Sequence, residues 1–154
     1  MSLELVKQLM PETEFYGDGY DHHGLFGGEA RTVMAHCVYS TDEEVERIRK
    51  NGVWVAHCPN SNMNLASGIA PIRRYLEAGI RVGLGSDVAG GQTESMFRAI
   101  TDAIQVSKLL WRYLDPSARS LCLLRTASIW PPREEALSLG RWGALRKTTS
   151  STRW

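Results

Sequence analysis

Three polar side chains follow apolar runs in this sequence, and their types are those that bind metal ions and move protons. His36 and His57 each end a short apolar run, and Asp87 follows a run that closes with Gly85-Ser86. Imidazole nitrogen and carboxylate oxygen are ligands that suit Zn²⁺ or Fe²⁺, and such an ion lowers the pKa of bound water to about 7. These residue types could therefore bind a metal ion that makes hydroxide available at neutral pH.

Each of these residues also has a plainer structural interpretation. A single histidine in an apolar strand is more often a hydrogen-bonded core residue than a ligand, and this holds for His36 and His57 taken alone. Asp87 lies in a tightly turning segment, where an aspartate commonly caps a helix or forms a turn. The pairs His36-Cys37 and His57-Cys58 do not predict a Cys2His2 site, because adjacent strand residues point to opposite faces.

The apolar runs alternate with helical patterns. Thr41 predicts a helix N-cap, with Glu44 reaching back to it in a capping box, and the helix stops at Gly52. Pro71 opens a second helix, which ends at Gly79. The predicted strands cover residues 32–37, 53–58 and 80–85, the predicted long helix covers residues 96–114, and loops are expected at 16–28 and 60–68.

Strands that alternate with helices predict an α/β fold with a parallel sheet. The strands are almost entirely apolar, which is typical of strands covered on both faces. Because the carboxyl ends of parallel strands meet at one edge of the sheet, we expect His36, His57 and Asp87 to lie near one another.

The composition narrows the classes of protein to which the chain can belong. It has 154 residues, and 18 basic against 17 acidic side chains give a net charge of +1. No basic face for nucleic acid is expected from this balance, so we predict no nucleic-acid partner. Three cysteines without a Cys-x-x-Cys pair argue against a disulfide framework. The sequence shows neither a membrane-spanning run nor a signal peptide, which predicts a cytoplasmic protein with no membrane partner.

Three segments together resemble the amidohydrolase superfamily, and within it they are most similar to guanine deaminases. They read VMAHC at 33–37, AHCPNSN at 56–62 and GLGSDVAGG at 83–91. The resemblance implies a (β/α)₈ TIM barrel, of which this chain supplies strands six to eight with their helices. It also implies a Zn²⁺ or Fe²⁺ cofactor and a small-molecule purine substrate. The implied reaction is hydrolysis of guanine to xanthine and ammonia by a metal-bound hydroxide.

The same resemblance implies a role for each residue at the strand ends. Asp87 matches the metal ligand after strand eight, which also accepts a proton from the nucleophilic water. His36 matches the histidine after strand six, which orients the hydroxide and stabilises the tetrahedral centre. His57 and residues 60–62 match the motif after strand seven, which shapes the rim without a direct catalytic role. Catalysis is thus expected from His36 and Asp87, and metal binding from Asp87.

The resemblance also implies that the site is incomplete. The family's His-x-His, a further histidine and a proton-shuttling glutamate have no counterpart in this sequence, so the chain alone is expected to be inactive. It would associate with itself as a homo-oligomer or with a complementary N-terminal half, because open sheet edges tend to pair. Two alternatives stay open: another amidohydrolase, such as a different purine or pyrimidine deaminase or a triazine chlorohydrolase, and a non-catalytic fragment that self-associates.

The composition divides the chain after Leu121. Residues 1–121 carry a net charge of −3 and all the phenylalanines and tyrosines, whereas residues 122–154 carry +4 and three of the five tryptophans. The first part is predicted to be the C-terminal part of the barrel. Codons can be chosen for the second part whose neighbouring frame resembles the family's continuation, which predicts a frameshifted and disordered tail.

Overall fold

The computed structural model of the chain describes residues 3–29 and 31–117. The predicted barrel part, residues 1–121, lies largely within these ranges. The predicted tail, residues 122–154, lies outside the described residues.

A parallel sheet of three strands organises the described part of the chain. The strands are β1 (Val33–Ala35), β2 (Trp54–His57) and β3 (Val82–Leu84), and they lie side by side in sequence order. In register, Ala35 is paired with Ala56, and Ala56 with Gly83. The predicted α/β fold with a parallel sheet is confirmed, and each strand is shorter than its apolar run because pairing stops where the chain turns.

The helices are α1 (Leu3–Leu9), α2 (Asp18–His22), α3 (Asp42–Lys50), α4 (Pro59–Asn64), α5 (Ile72–Glu77) and α6 (Met96–Leu109), followed by a π-helical turn at Leu110–Leu114. Within the described ranges, none of these helices is long and apolar enough to cross a membrane. Two of them, α2 and α4, stand where the sequence predicts loops. In α4 the buried side chains after Pro59 are polar, so the apolar period that normally indicates a helix is missing.

The N-terminus of α3 is capped by a side chain, as predicted. Thr41 Oγ1 accepts a hydrogen bond of 3.2 Å from the backbone N–H of Glu44. The reciprocal half of the predicted capping box is wrong, however. Glu44 is buried, and its Oε1 accepts a hydrogen bond of 2.9 Å from the N–H of Gly17 instead. The Glu44 side chain therefore links the segment before β1 to α3 and does not cap the N-terminus of its own helix.

The hydrophobic core lies between one face of the sheet and the helices α3 and α5. Val55 of β2 and Val82 of β3 face this side, and they pack in one cluster with Ile48 of α3 and with Ile72 and Tyr75 of α5. Tyr75 is fully buried. Each apolar side chain removed from water here contributes roughly 1.5–3 kcal/mol, so this layer fixes how the two crossovers sit on the sheet.

The opposite face of the sheet is only partly covered by the residues described. Val33 is 51% exposed there, and Ala56 and Gly83 are half-buried. At the start of β2, the Arg81 guanidinium lies 4.6 Å from the centroid of the Trp54 ring and shields it from water. The sequence predicts that both faces of the sheet are buried, and within the described residues this is true of one face. An apolar strand sequence does not indicate which residues pack against the other face.

Candidate active site

The C-terminal ends of β1 and β3 bring His36 and Asp87 together, although they are far apart in sequence. His36 directly follows β1, and Asp87 follows β3 by three residues. The distance between His36 Nε2 and Asp87 Oδ2 is 3.8 Å, and the side chains are 41% and 39% exposed. Both groups are therefore accessible to a small molecule at this edge of the sheet, which is where active sites form in parallel α/β folds.

Both residues stand in turns whose backbone lies in the left-handed region. The φ angles are 68° at His36 and 46° at Asp87, and the neighbouring residues Cys37 and Ala89 have φ angles of 47° and 96°. Left-handed conformations cost non-glycine residues about 1–3 kcal/mol each, and they concentrate at functional sites where the surrounding structure enforces them. A hydrogen bond of 2.5 Å from Gly91 N–H to the carbonyl oxygen of Asp87 closes the second turn.

The two ring nitrogens of His36 face different partners. Nδ1 lies 2.8 Å from Oδ1 of Asn62, which is 3% exposed on α4. Nε2 is too far from Asp87 Oδ2 for a direct hydrogen bond, which needs about 2.7–3.2 Å. The 3.8 Å separation does allow one water molecule or one substrate group to contact both atoms. The arrangement can thus hold a polar group between an imidazole nitrogen and a carboxylate oxygen.

A buried carboxylate holds α4, the helix that carries Asn62. Asp102 of α6 is fully buried; its Oδ2 accepts from Asn60 Nδ2 at 2.8 Å, and its Oδ1 accepts from Arg98 Nε at 2.8 Å. Asn60 Oδ1 also accepts a hydrogen bond of 2.6 Å from the N–H of Gln92. These bonds tie α4, α6 and the turn after β3 into one unit.

The sequence places Asn62 in the rim motif at 60–62 but does not reveal its contact with His36, and Asp102 was not among the predicted site residues. One local signal for Asp102 was available: an acidic residue within the apolar stripe of a helix, with Arg98 one turn earlier, is typical of a buried ion pair. Nothing in the local pattern connects Asn62 with His36, because the two are 26 positions apart.

His57 differs from His36 in its exposure to solvent and in its hydrogen bonding. It is 1% exposed, and neither ring nitrogen has a hydrogen-bond partner within the described residues. Burial, and secondarily the nearby charge of His36, lowers the pKa of His57 to about 3. The ring is therefore neutral at physiological pH, and its surroundings are those of a packed interior residue.

The two cysteines at the strand ends are protonated at neutral pH. Burial, and to a lesser degree the charge of Glu44, raises the pKa of Cys37 to about 12. Burial and the charge of Asp87 raise the pKa of Cys58 to about 11. Because the thiolate is the form that attacks carbon and binds metal, neither side chain is suited to those tasks here.

The residues described do not fit a complete metal centre. A catalytic zinc site has three protein ligands and one open position. Across residues 3–29 and 31–117, no group of three or more histidine, cysteine, aspartate or glutamate side chains lies close enough to hold an ion. Asp87 and His36 offer two donor atoms, so any further ligand has to lie outside the described residues.

Comparison with known proteins identifies the family to which the chain is similar. A model of the amidohydrolase family matches residues 7–147. A probable guanine deaminase from Schizosaccharomyces pombe is 44% identical over 108 residues, which cover 70% of this chain and 20% of that protein. The chain thus spans about a fifth of this relative's length.

Solved structures of guanine deaminase and of a related hydrolase are also similar to the chain. The guanine deaminase of C. acetobutylicum, with guanine bound in the active site, is similar at a TM-score of 0.75 and 45% identity, over 80% of this chain and 29% of that one. The atrazine chlorohydrolase of Arthrobacter aurescens, in complex with zinc, is similar at a TM-score of 0.56 and 28% identity, over 74% of this chain and 24% of that one.

Proposed function

This chain belongs to the amidohydrolase family, and from that premise we propose that it forms part of a guanine deaminase. The observation that carries the proposal is the similarity to the C. acetobutylicum enzyme with bound guanine, at 45% identity and a TM-score of 0.75. The pairing of His36 with Asp87 at the sheet edge supports it, because the reaction needs groups that accept and donate protons beside the reacting carbon. The reaction would add water to the carbon that bears the amino group of guanine and release ammonia and xanthine.

We assign the proton transfers to the two strand-end residues. Asp87 accepts a proton from the attacking water at Oδ2, the oxygen that faces His36. His36 Nε2 accepts a hydrogen bond from that water and so orients its oxygen toward the carbon that becomes tetrahedral. His57 and residues 60–62 shape the surrounding rim. This division matches the exposure of the side chains, since His36 and Asp87 are accessible and His57 is buried.

The cofactor and the barrel position follow from the same proposal. We propose Zn²⁺, or else Fe²⁺, with Asp87 as the one ligand from the described residues. Such an ion, when bound, lowers the pKa of water to about 7. We further propose that β1, β2 and β3 correspond to barrel strands six to eight. A complementary N-terminal half would supply the rest of the site, and the open sheet edges would pair either with that half or with a second copy of the chain. The cytoplasmic location stays a prediction.

Residues 122–154 form a separate part of the proposal. We propose that this segment is a frameshifted tail and that residues 1–121 are the barrel part, on the basis of the change in composition after Leu121. The family match reaches residue 147 and so enters the segment, which makes the encoding locus the direct test. Stop codons or unrelated residues in the neighbouring frame would contradict the proposed tail.

A second candidate function is hydrolysis of a triazine. The similarity to the zinc-containing atrazine chlorohydrolase favours it, but at 28% identity and a TM-score of 0.56 that similarity is weaker than the one to guanine deaminase. A non-catalytic, self-associating role is the third. The incomplete ligand set of the described residues favours that role for the chain on its own.

The proposed function can be tested by adding the N-terminal part of a guanine deaminase to the chain. The full chain is purified, its metal content is measured, and conversion of guanine to xanthine is assayed with and without the complementary N-terminal segment of the C. acetobutylicum enzyme. We expect little bound metal and no turnover for the chain alone, and turnover for the mixture. Asp87→Asn should lower that turnover by about 1000-fold or more, because it removes both a ligand and a proton acceptor. The exposed His23→Ala serves as the control.

Three outcomes would contradict the proposal. Stoichiometric, tightly bound zinc in the chain alone would overturn the incomplete site. Turnover of a triazine but not of guanine would favour the second candidate. A folded mixture that hydrolyses neither substrate would favour the non-catalytic role.

A further inference from the structure

We propose that Asn62 is a positioning residue: its Oδ1 holds His36 in the tautomer that carries the proton on Nδ1, and thereby leaves Nε2 as an acceptor directed toward Asp87. The contact itself is independent of the reaction. Its importance for catalysis rests on the proposed function.

The geometry of the contact is that of a strong hydrogen bond. His36 Nδ1 and Asn62 Oδ1 are 2.8 Å apart, with the amide oriented so that its oxygen faces the ring. An amide oxygen only accepts, so the nitrogen opposite it has to donate. A neutral imidazole carries one proton, and with that proton on Nδ1 the other nitrogen presents its lone pair. The lone pair of Nε2 then lies on the side of Asp87 Oδ2, 3.8 Å away.

The tautomer decides what His36 can do. With Nε2 unprotonated, the ring accepts a hydrogen bond from a water molecule or substrate held between His36 and Asp87. With Nε2 protonated, the same atom only donates. Enzymes commonly fix this choice through a partner on the other ring nitrogen, and a wrong tautomer can be costly even when the geometry is intact.

Asn62 is buried on an anchored helix, although its own Nδ2 has no hydrogen-bond partner within the described residues. It is 3% exposed, and the residues before it on α4 are buried as well. Asn60, two residues earlier, is bonded both to Asp102 and to the backbone of Gln92. A side chain on a rigid, anchored element positions its partner more accurately than one on a free loop. The left-handed backbone at His36, with φ of 68°, brings the ring to this partner.

The tautomer can be read directly by NMR. The full chain is labelled with ¹⁵N-histidine, and long-range ¹⁵N–¹H correlations are recorded at a pH where the rings are neutral. His36→Gln identifies the His36 signals. We expect a protonated Nδ1 and an unprotonated Nε2 for His36 in the unsubstituted chain. A protonated Nε2 there would overturn the proposal, because the Asn62 amide would then face the ring with its nitrogen.

Two substitutions at one position separate the hydrogen bond from packing. Asn62→Leu keeps the branched shape and the number of heavy atoms but removes the oxygen, and should shift the tautomer ratio about tenfold or more toward the Nε2-protonated form. Asn62→Asp keeps an acceptor at that place and should retain the Nδ1-protonated form. The matched control is Asn64→Leu, on the same helix, where the amide donates to the carbonyl of Gly90 and does not contact His36. An unchanged ratio in a folded Asn62→Leu chain would contradict the proposal.

The measurement distinguishes this proposal from the proposed function. The NMR readout needs neither substrate nor turnover, and the tautomer in the unsubstituted chain is decisive even if Asn62→Leu does not fold. If His36 is in the expected tautomer but the complemented enzyme does not hydrolyse guanine, the proposed function fails and the positioning role stands. In an active mixture, Asn62→Leu should lower kcat more than it raises KM, and Asn62→Asp should restore most of kcat.

Discussion

His36 and His57 both precede a cysteine, and both stand at the C-terminal end of a parallel strand, yet their surroundings are opposite. His36 is accessible, bonded through Nδ1 to Asn62 and directed by Nε2 toward Asp87. His57 is buried with neither nitrogen partnered within the described residues, and its pKa is lowered to about 3. One histidine can therefore contact a small molecule at the sheet edge, and the other is enclosed and neutral.

The difference arises from where each strand stops. β1 ends at Ala35, and the chain turns into the left-handed region at His36, which takes the ring out of the alternation of the strand. β2 continues through His57, which is still paired with Leu84 and lies on the same face as Val55. A shift of one residue in the end of a strand thus decides whether a histidine is a reactive group or part of the interior.

The largest expected effect is on turnover in the complemented enzyme. His36→Ala should lower kcat/KM by about 100-fold to 10,000-fold, because it removes the group that orients the attacking water beside Asp87. His57→Leu should lower kcat/KM by less than about tenfold, because a buried neutral ring takes no part in the proton transfers. Steady-state kinetics with guanine checks both. Equal losses for the two substitutions would mean that the strand ends are equivalent, contrary to the comparison.

A smaller effect is expected from crowding the Asp87 side of the site. A Cβ added at Gly90 would lie 2.8 Å from both Asp87 Oδ2 and Ser61 Oγ. Gly90→Ala should therefore displace the carboxylate from His36 and lower kcat by up to about 100-fold, since misplacement by about 1 Å has effects of that size.

The matched control for this substitution is Gly19→Ala, in α2 and away from the sheet. Among the described residues, an added Cβ at Gly19 would meet Met10 Sδ at 3.8 Å, an ordinary contact distance. It should leave kcat and the thermal midpoint nearly unchanged. If both alanine variants behave alike, the position of the Asp87 carboxylate does not limit the reaction.

The smallest expected effect is on stability and comes from His57. Its pKa is about 3 in the folded chain, below its ordinary value of 6.5. As the pH falls below 6.5, the unfolded chain binds a proton that the folded chain does not, so stability is lost on acidification between pH 6.5 and pH 3. This group alone should lower the free energy of unfolding by about 2 kcal/mol between neutral pH and pH 5.

Urea denaturation at several pH values checks this effect. His57→Leu should remove about 2 kcal/mol of the acid sensitivity, because leucine has no proton to bind. The exposed His23→Leu is the control and should retain the acid sensitivity of the unsubstituted chain. The same pH dependence in His57→Leu and in the unsubstituted chain would show that the buried ring is not the source.

Much of the fold was predictable because its signals are local. The apolar runs at the three strands, the N-cap at Thr41 and the proline before α5 are read from neighbouring residues, and the structure confirms them. The prediction was wrong where tertiary bonds replace a local pattern. Glu44 bonds to Gly17 rather than to its own helix, and α4 is built around buried amides instead of apolar side chains.

In the candidate site, too, local features were predictable and contacts between distant segments were not. Its residue types and their order, histidine after one strand and aspartate after another, are present in the sequence, and a parallel sheet brings such strand ends together. The 3.8 Å approach of His36 to Asp87 agrees with that expectation. Asn62 could not be predicted as a partner of His36, because the contact joins a strand end to a helix 26 positions later.

The sequence by itself determined that this chain forms strands and helices in alternation, and which polar residues stand at the strand ends, since both depend on periods and turns spanning a few residues. Only the tertiary structure decided which histidine is accessible and which is buried, which of its nitrogens has a partner, and which residues hold that partner in place. These properties depend on burial and on hydrogen bonds between segments distant in sequence. Their free energies are set by the packed surroundings rather than by the local chain.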